Sequence, residues 1–269
     1  MKTGISSYTY TWAAGVHGAM PAKPLSPFNL VDRAESFQLE IVQIADNIPL
    51  EILAENNLNE LREYADQKGV SIEMGGRGLT PEHTMKCLKT AELIGSPILR
   101  MVIDAAGYEP DIPAIISIVR DLVPELAARN IRLAIENHDR LKAREFEEII
   151  LSAGSEMVGI CLDSVNSMGA GEGFETVAGI LIPYTINLHI KDFTIRRVSH
   201  KMGLVIEGAP AGKGMLNIRD LVEKLDAAGK CRSAILELWT PPEENLEDTI
   251  MKEEQWANES IKYLKSVIN

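Results

Sequence analysis

Cysteine is scarce in this sequence: Cys87, Cys161 and Cys231 are the full set, and no two of them form a CxxC pair. An odd, unpaired count argues against a disulfide framework and fits a reducing compartment. Positive charge is scarce too, with 27 Lys and Arg against 39 Asp and Glu and a net charge of −12. A groove for duplex nucleic acid needs clustered cations, so nucleic acid is not an expected partner, whereas an anionic small molecule needs only a few local ones. Long apolar runs are missing. The longest, Ala114 to Val119, is broken by Ser117 and falls far short of a bilayer span. The opening MKTGISSYTYTW lacks the apolar stretch and cleavage site of a secretory signal. No membrane partner and a cytoplasmic location are therefore expected. A GxGxxG after the first strand-like segment is also absent, which weighs against an open dinucleotide-binding sheet.

What is present is an even alternation. The 269 residues are 45% hydrophobic and 25% charged, a soluble-globular composition compatible with one domain over residues 1–269. Strand-like segments fall at Ile5–Tyr8, Glu40–Asp46, Val70–Gly75, Ile98–Asp104, Ile131–Glu136, Val158–Asp163, Thr185–Lys191 and Ala234–Glu237. Helical patterns lie between them: Pro27 to Phe37; Leu58 to Lys68, with Asn57 as N-cap and Gly69 as stop; and a helix capped by Thr80, begun by Pro81 and ending near Gly95. Pro113 to Asn130, Glu145 to Ala153, Ile218 to Ala228 and Glu247 to Val267 continue the series. Such alternation implies parallel strands joined by crossover helices. Eight units imply an α/β fold closed as a (β/α)₈ TIM barrel. One connection, Asp192 to Asn217, is long for a βα loop and contains GAPAGKG at Gly208 to Gly214. It is expected to fold over the barrel mouth and help exclude water.

Four apolar runs end in one metal-binding side chain each: LAIEN with Glu136, ICLDS with Asp163, NLHIKD with His189 and AILEL with Glu237. A carboxylate or imidazole at the end of a buried strand is costly unless something pairs with it. Other polar residues fall at the same barrel end, where active sites of such barrels lie. They are Tyr8, Trp12, Asp46, Arg77, Arg100, His138, Asn166, Lys191, Arg196 and Trp239, all expected to contact substrate. Each has a plainer reading alone. A strand-end acid often caps the next helix, a lone His189 reads as a core histidine, and Arg100 reads as half of an ion pair with Glu73. Cys161, two residues before Asp163, reads as a buried and inert thiol. Taken together, three carboxylates and one imidazole from four neighbouring strands suit one divalent ion.

The order of these motifs resembles the xylose isomerase-like TIM barrel superfamily, which holds sugar phosphate isomerases, ketose 3-epimerases, hydroxypyruvate isomerases, inosose dehydratases and family 2 apurinic endonucleases. The resemblance carried by Glu136-Asn137, Asp163 with Asn166, His189-Ile190-Lys191-Asp192 and Leu236-Glu237 spans the whole chain. It implies that Glu136, Asp163, His189 and Glu237 bind one divalent ion, Mn²⁺ favoured over Mg²⁺, Co²⁺ or Zn²⁺. It further implies that Glu136 and Glu237 shuttle protons. Two departures stand out. The epimerases carry Asp-x-x-His where this chain has Asp163-x-x-Asn166, and the five histidines do not fill the trinuclear zinc pattern of the endonucleases. The stretches SYTYTWAAGV, QIADNIPL, CLDSVNSMGAGE and ILELWTP resemble a subgroup of sugar isomerases that also contains 3-oxo-isoapionate decarboxylases. The expected activity is a metal-dependent isomerase or epimerase of a small sugar, working through a metal-bound enediolate. Decarboxylation of a 3-oxo sugar acid is the alternative, and a catalytically inactive sugar-binding barrel the non-enzymatic one. The expected partner is a small sugar or sugar acid, and a homo-oligomer is compatible with the sequence.

Overall fold

The structure is a computed structural model and describes residues 1–268. Eight parallel strands close a barrel: β1 (Lys2–Ser6), β2 (Ile41–Ile44), β3 (Ser71–Arg77), β4 (Ile98–Val102), β5 (Arg132–Glu136), β6 (Val158–Asp163), β7 (Thr185–Ile190) and β10 (Ser233–Leu236). The last strand pairs with both β7 and β1, which leaves no edge. Helices α2 (Pro27–Ser36), α3 (Glu55–Gln67), α4 (Pro81–Leu93), α5 (Ile112–Arg129), α6 (Ala143–Ala153), α7 (Phe174–Leu181), α8 (Ile218–Ala228) and α9 (Leu246–Lys265) form the outer layer, and a short helix, α1 (Thr11–Ala14), follows β1. Among the described residues no helix is long and apolar enough to cross a membrane.

Local chemistry accounts for the boundaries. Ser6 accepts the Tyr8 amide and Thr9 accepts the Ser6 amide, so β1 stops at Ser6 and Tyr8 enters a 3₁₀ turn rather than extending the strand. Thr80 caps α4 through the His83 amide, with Pro81 at the first position as expected. The start of α3 differs: it begins at Glu55 behind Ala54, with no side-chain cap, so Asn57 lies inside the first turn. Helix α7 had no sequence signal of its own, because it has eight residues and Gly173 gives its N-cap no side chain.

Strand alternation divides the buried residues between two environments. Val42, Ile44, Ile72, Met74, Leu99, Met101, Leu133, Ile135, Leu162 and Leu188 join the main apolar core. The opposite strand faces carry Gln43, Glu73, Arg100, Cys161, Asn187 and His189, all fully buried. Barrel interiors are usually filled by Val, Ile and Leu; here Ile98, Ala134, Cys161 and Ile186 form one small interior cluster, and Ile41 and Ile235 close on Gly4.

The long connection after β7 is not an irregular lid. Asp192–Arg197 and Leu204–Ala209 form an antiparallel hairpin, β8 and β9, with an exposed tip. The glycines behind it serve packing. A Cβ on Gly208 would lie 1.9 Å from the Trp239 carbonyl oxygen, and one on Gly214 would lie 2.2 Å from the Asp192 carboxylate. That carboxylate accepts the amides of Gly212, Gly214 and Leu216, which ties the segment down at its base.

Candidate metal centre

Glu136, Asp163 and His189 stand at the C-terminal ends of β5, β6 and β7, and Glu237 directly follows β10. Register brings them together. Asp163 pairs with His189 across the β6–β7 ladder, and the Glu237 amide continues the ladder to the Ile190 carbonyl. All four side chains are at most 1% exposed. His189 Nδ1 lies 3.4 Å from Glu237 Oε1, 3.5 Å from Glu136 Oε2 and 3.8 Å from Asp163 Oδ2. His189 Nδ1 is buried and makes no hydrogen bond among the described residues, while Glu136 Oε2 is met by Arg100, and Asp163 Oδ2 and Glu237 Oε2 are met by Lys191. Three buried carboxylates around one imidazole carry more negative charge than Arg100 and Lys191 offset, and a divalent cation would balance the remainder. Three carboxylate oxygens and one imidazole nitrogen fit a hard or borderline divalent ion.

Asp163 forms a local turn rather than a helix cap, since the N-cap of the next 3₁₀ turn is Val165. Its Oδ1 accepts the amides of Val165 and Asn166, at 2.8 and 2.9 Å, leaving Oδ2 to face the cluster. Asn137 explains the Glu-Asn pair: its side chain accepts the Asp163 amide and donates to the Asp163 carbonyl, locking β5 to β6 beyond the ladder.

Cations and hydrogen-bond donors surround the acids. Arg100 is 2% exposed and pairs with Glu136 and with Asp46 at 3.3 Å. The expected Arg100–Glu73 pair is not formed, because Arg100 reaches upward from the barrel to Glu136 and Glu73 is held below by amides. Lys191 Nζ lies 2.9 Å from both Asp163 Oδ2 and Glu237 Oε2. Asn166 donates to Glu136 Oε1 at 2.7 Å, and Ser6 donates to Glu237 Oε1 at 3.1 Å. Burial pushes the Glu237 carboxyl up, but the charges of His189, Lys191 and Arg100 outweigh it and hold the group well below its ordinary value. Burial pulls Lys191 and Arg100 down, yet the neighbouring carboxylates raise both and keep them cationic. Cys161 is fully buried and its thiol is raised far above its usual value, first by burial and then by Glu136, as its inert reading requires.

Most of the remaining expected residues gather here. The Tyr8 hydroxyl donates to Asp46 at 3.1 Å, Arg77 also pairs with Asp46 at 3.1 Å, and Arg77 donates to His138 at 3.3 Å. A cavity of about 400 Å³ opens above, lined by Tyr8, Thr11, Asp139, Val165, Asn166, Met168, Gly169, Lys191, Leu238 and Trp239. Trp12 stands apart: its indole N–H donates to the Thr240 carbonyl at 2.9 Å, and it lines an adjoining cleft of about 300 Å³ that it shares with Trp239. Arg196 is not brought to the cluster. It lies exposed on the hairpin, paired with Glu207 at 3.0 Å. Sequence reasoning missed Ser6, Thr11, Asp139 and Met168. Only Ser6 carried a signal, since it ends β1 at the level of the other site residues.

A family model described as xylose isomerase-like TIM barrel matches residues 34–267. A 3-oxo-isoapionate decarboxylase of Pectobacterium atrosepticum is 28% identical over 264 residues, covering 98% of this chain and 95% of that protein. Among solved structures, D-psicose 3-epimerase from Clostridium cellulolyticum, with D-tagatose, superposes with a TM-score of 0.75 at 14% identity, over 99% of this chain and 98% of that one. A xylose isomerase-like TIM barrel protein from Mycobacterium smegmatis, in complex with magnesium, gives 0.68 at 15% identity, over 98% and 97%.

Proposed function

Because the chain belongs to the xylose isomerase-like TIM barrel family, we propose that it is a divalent-metal-dependent enzyme that decarboxylates a 3-oxo sugar acid. Glu136, Asp163, His189 and Glu237 would hold the ion, which when bound supplies Lewis-acid stabilisation of developing oxyanion charge. The observation that carries the choice of reaction is the state of the two glutamates. Arg100 and Asn166 engage Glu136, while Lys191 and Ser6 engage Glu237. The Glu237 carboxyl, held well below its ordinary value by these cations, is a poor base, which disfavours a two-glutamate proton shuttle. Decarboxylation needs no base for its first step. The decarboxylase relative, similar along nearly the whole chain, supports the same choice.

The residues divide the work. Lys191 is the cationic side chain on the cavity floor, and it orients the substrate carboxylate. The bond between that carboxylate carbon and its neighbour breaks, CO₂ leaves, and the electron pair moves onto the 3-oxo oxygen to give an enediolate. With Asp163 and Glu237 engaged by the ion, the carboxylates that raise Lys191 would be neutralised, and Lys191 would be placed to return a proton to the carbon that lost CO₂. Tyr8 keeps its hydroxyl proton, because burial and then the Asp46 charge raise it, and donates it to Asp46, so its oxygen is left to accept from substrate hydroxyls. Val165, Met168, Leu238 and Trp239 form the apolar part of the wall and exclude water.

Isomerisation or epimerisation of a sugar is the second reading, favoured by two carboxylates on either side of His189 Nδ1. Turnover in D₂O separates the two. A decarboxylase releases CO₂ and leaves one solvent deuterium at the carbon that carried it. An isomerase exchanges deuterium at the reacting carbon without loss of carbon. If purified, Mn²⁺-loaded protein turns over neither 3-oxo sugar acids nor ketoses, both enzymatic readings fail and the sugar-binding barrel replaces them.

A further inference from the structure

Below the acidic cluster the barrel interior holds a column of hydrogen-bonded side chains. Glu73 Oε2 faces two side-chain amides, Gln43 Nε2 at 3.1 Å and Asn187 Nδ2 at 3.2 Å. The second Asn187 N–H donates to Ser233 Oγ at 2.7 Å, and Asn187 Oδ1 accepts from Gln43 Nε2 at 3.2 Å and from the Cys161 thiol at 3.0 Å. Both amide hydrogens of Gln43 are thus committed, one to Glu73 and one to Asn187. Reversing the Gln43 amide would point its oxygen at the Glu73 carboxylate and at the Asn187 oxygen. The remaining Gln43 atom, Oε1, lies 2.7 Å from His189 Nε2. An amide oxygen is an acceptor only, so His189 must carry a proton on Nε2, which leaves Nδ1 as the nitrogen available to a metal ion among the carboxylates. All these side chains are at most 2% exposed, which leaves no solvent to compete for the arrangement.

We propose that Gln43, held by Glu73 and Asn187, is the positioning residue that fixes the tautomer and ring orientation of His189 for metal binding. The inference rests on the metal reading of the site but concerns residues that touch neither metal nor substrate. Outer partners of a ligating histidine commonly change metal affinity by about 10–100-fold. Gln43→Leu removes the acceptor at similar volume, whereas Glu73→Gln keeps Gln43 but removes the group that orients it. Two readouts are needed: Zn²⁺ affinity by chelator competition, and ¹⁵N shifts of labelled histidine in the Zn²⁺-loaded protein. In the wild type, Nε2 should carry the proton and Nδ1 the metal. Gln43→Leu should bind Zn²⁺ about 10–100-fold more weakly, and Glu73→Gln should lose affinity in the same direction by a smaller factor. The wild-type tautomer and Glu73→Gln still decide the matter if Gln43→Leu does not fold. A wild-type protein that binds no Zn²⁺ overturns the metal reading and this inference with it. Wild-type binding through Nε2, or unchanged affinity in the folded variants, overturns this inference alone.

Discussion

Replacing Arg100 with Met tests the ionic architecture beneath the site. The Arg100 side chain is 2% exposed; its partner Glu136 is 1% exposed and its other partner Asp46 is 21% exposed. After the substitution Asp46 keeps Arg77 at 3.1 Å and the Tyr8 hydroxyl. Glu136 keeps only the Asn166 amide, at 2.7 Å, and His189 at 3.5 Å. The uncompensated charge is therefore concentrated on Glu136. Removing one partner of a buried ion pair costs about 3–5 kcal/mol. Set against a total stability of about 5–15 kcal/mol, this is a large share. At about 2–4 °C per kcal/mol for a chain of this size, metal-free Arg100→Met should melt about 6–20 °C below wild type. Mn²⁺ should narrow that gap, because a divalent ion beside Glu136 restores the missing positive charge. Wild type should gain about 2.7 kcal/mol at roughly 100-fold excess over its Kd, and Arg100→Met should gain more at the same Mn²⁺ concentration. Calorimetry in EDTA and in Mn²⁺ measures both effects. A variant that melts within about 2 °C of wild type in EDTA would refute the buried-pair energetics. A gap equally wide in Mn²⁺ would detach Glu136 from the ion.

Lys191→Met should lower kcat by about 10²–10⁴-fold with substrate and metal saturating, as expected for a group that transfers a proton; steady-state CO₂ release measures it, and a variant within a few-fold of wild type removes Lys191 from the mechanism. Gly214→Ala should destabilise the base of the hairpin, since its Cβ would meet the Asp192 carboxylate at 2.2 Å and the Phe193 carbonyl oxygen at 2.4 Å; loss of amide-exchange protection around residues 192–216 is the expected signature. Glu253 gives a pH test. Burial lifts its carboxyl from 4.5 to about 7, against the pull of the Trp12 and Ala13 amides that donate to it. A folded value above the unfolded one means that the stability from this group is full below the unfolded value and is lost as pH rises through about 7. Urea midpoints should accordingly fall across that window by an amount worth about 3 kcal/mol, and Glu253→Gln should flatten the profile.

The fold was readable because its signal is periodic: eight short apolar runs separated by capped helices leave little besides a closed barrel. The strand-end residues of the candidate metal centre were readable for the same reason, since a charged residue that ends a buried strand stands out against the run before it. In Asp192–Asn217 the glycines alone did not reveal the hairpin: Gly208 and Gly214 are there so that backbone can lie against Trp239 and Asp192. Arg196 was drawn into the site by its place after β7, but an antiparallel turn carries it outward to Glu207. Gln43 and Asn187 went unnoticed because a single polar residue inside a strand names neither its partner nor its depth. The interior pairing emerges only when β2, β3 and β7 are brought around one axis.

The measurement that bears most directly on the account is titration of Mn²⁺ into metal-free protein, wild type and Asp163→Ala side by side, followed by CO₂ release from a 3-oxo sugar acid at each metal level. The account expects wild-type protein to take up a single equivalent, with CO₂ release rising in step with occupancy, and Asp163→Ala to lose both. Turnover that persists in EDTA, or full Mn²⁺ occupancy with unchanged activity in Asp163→Ala, would contradict it.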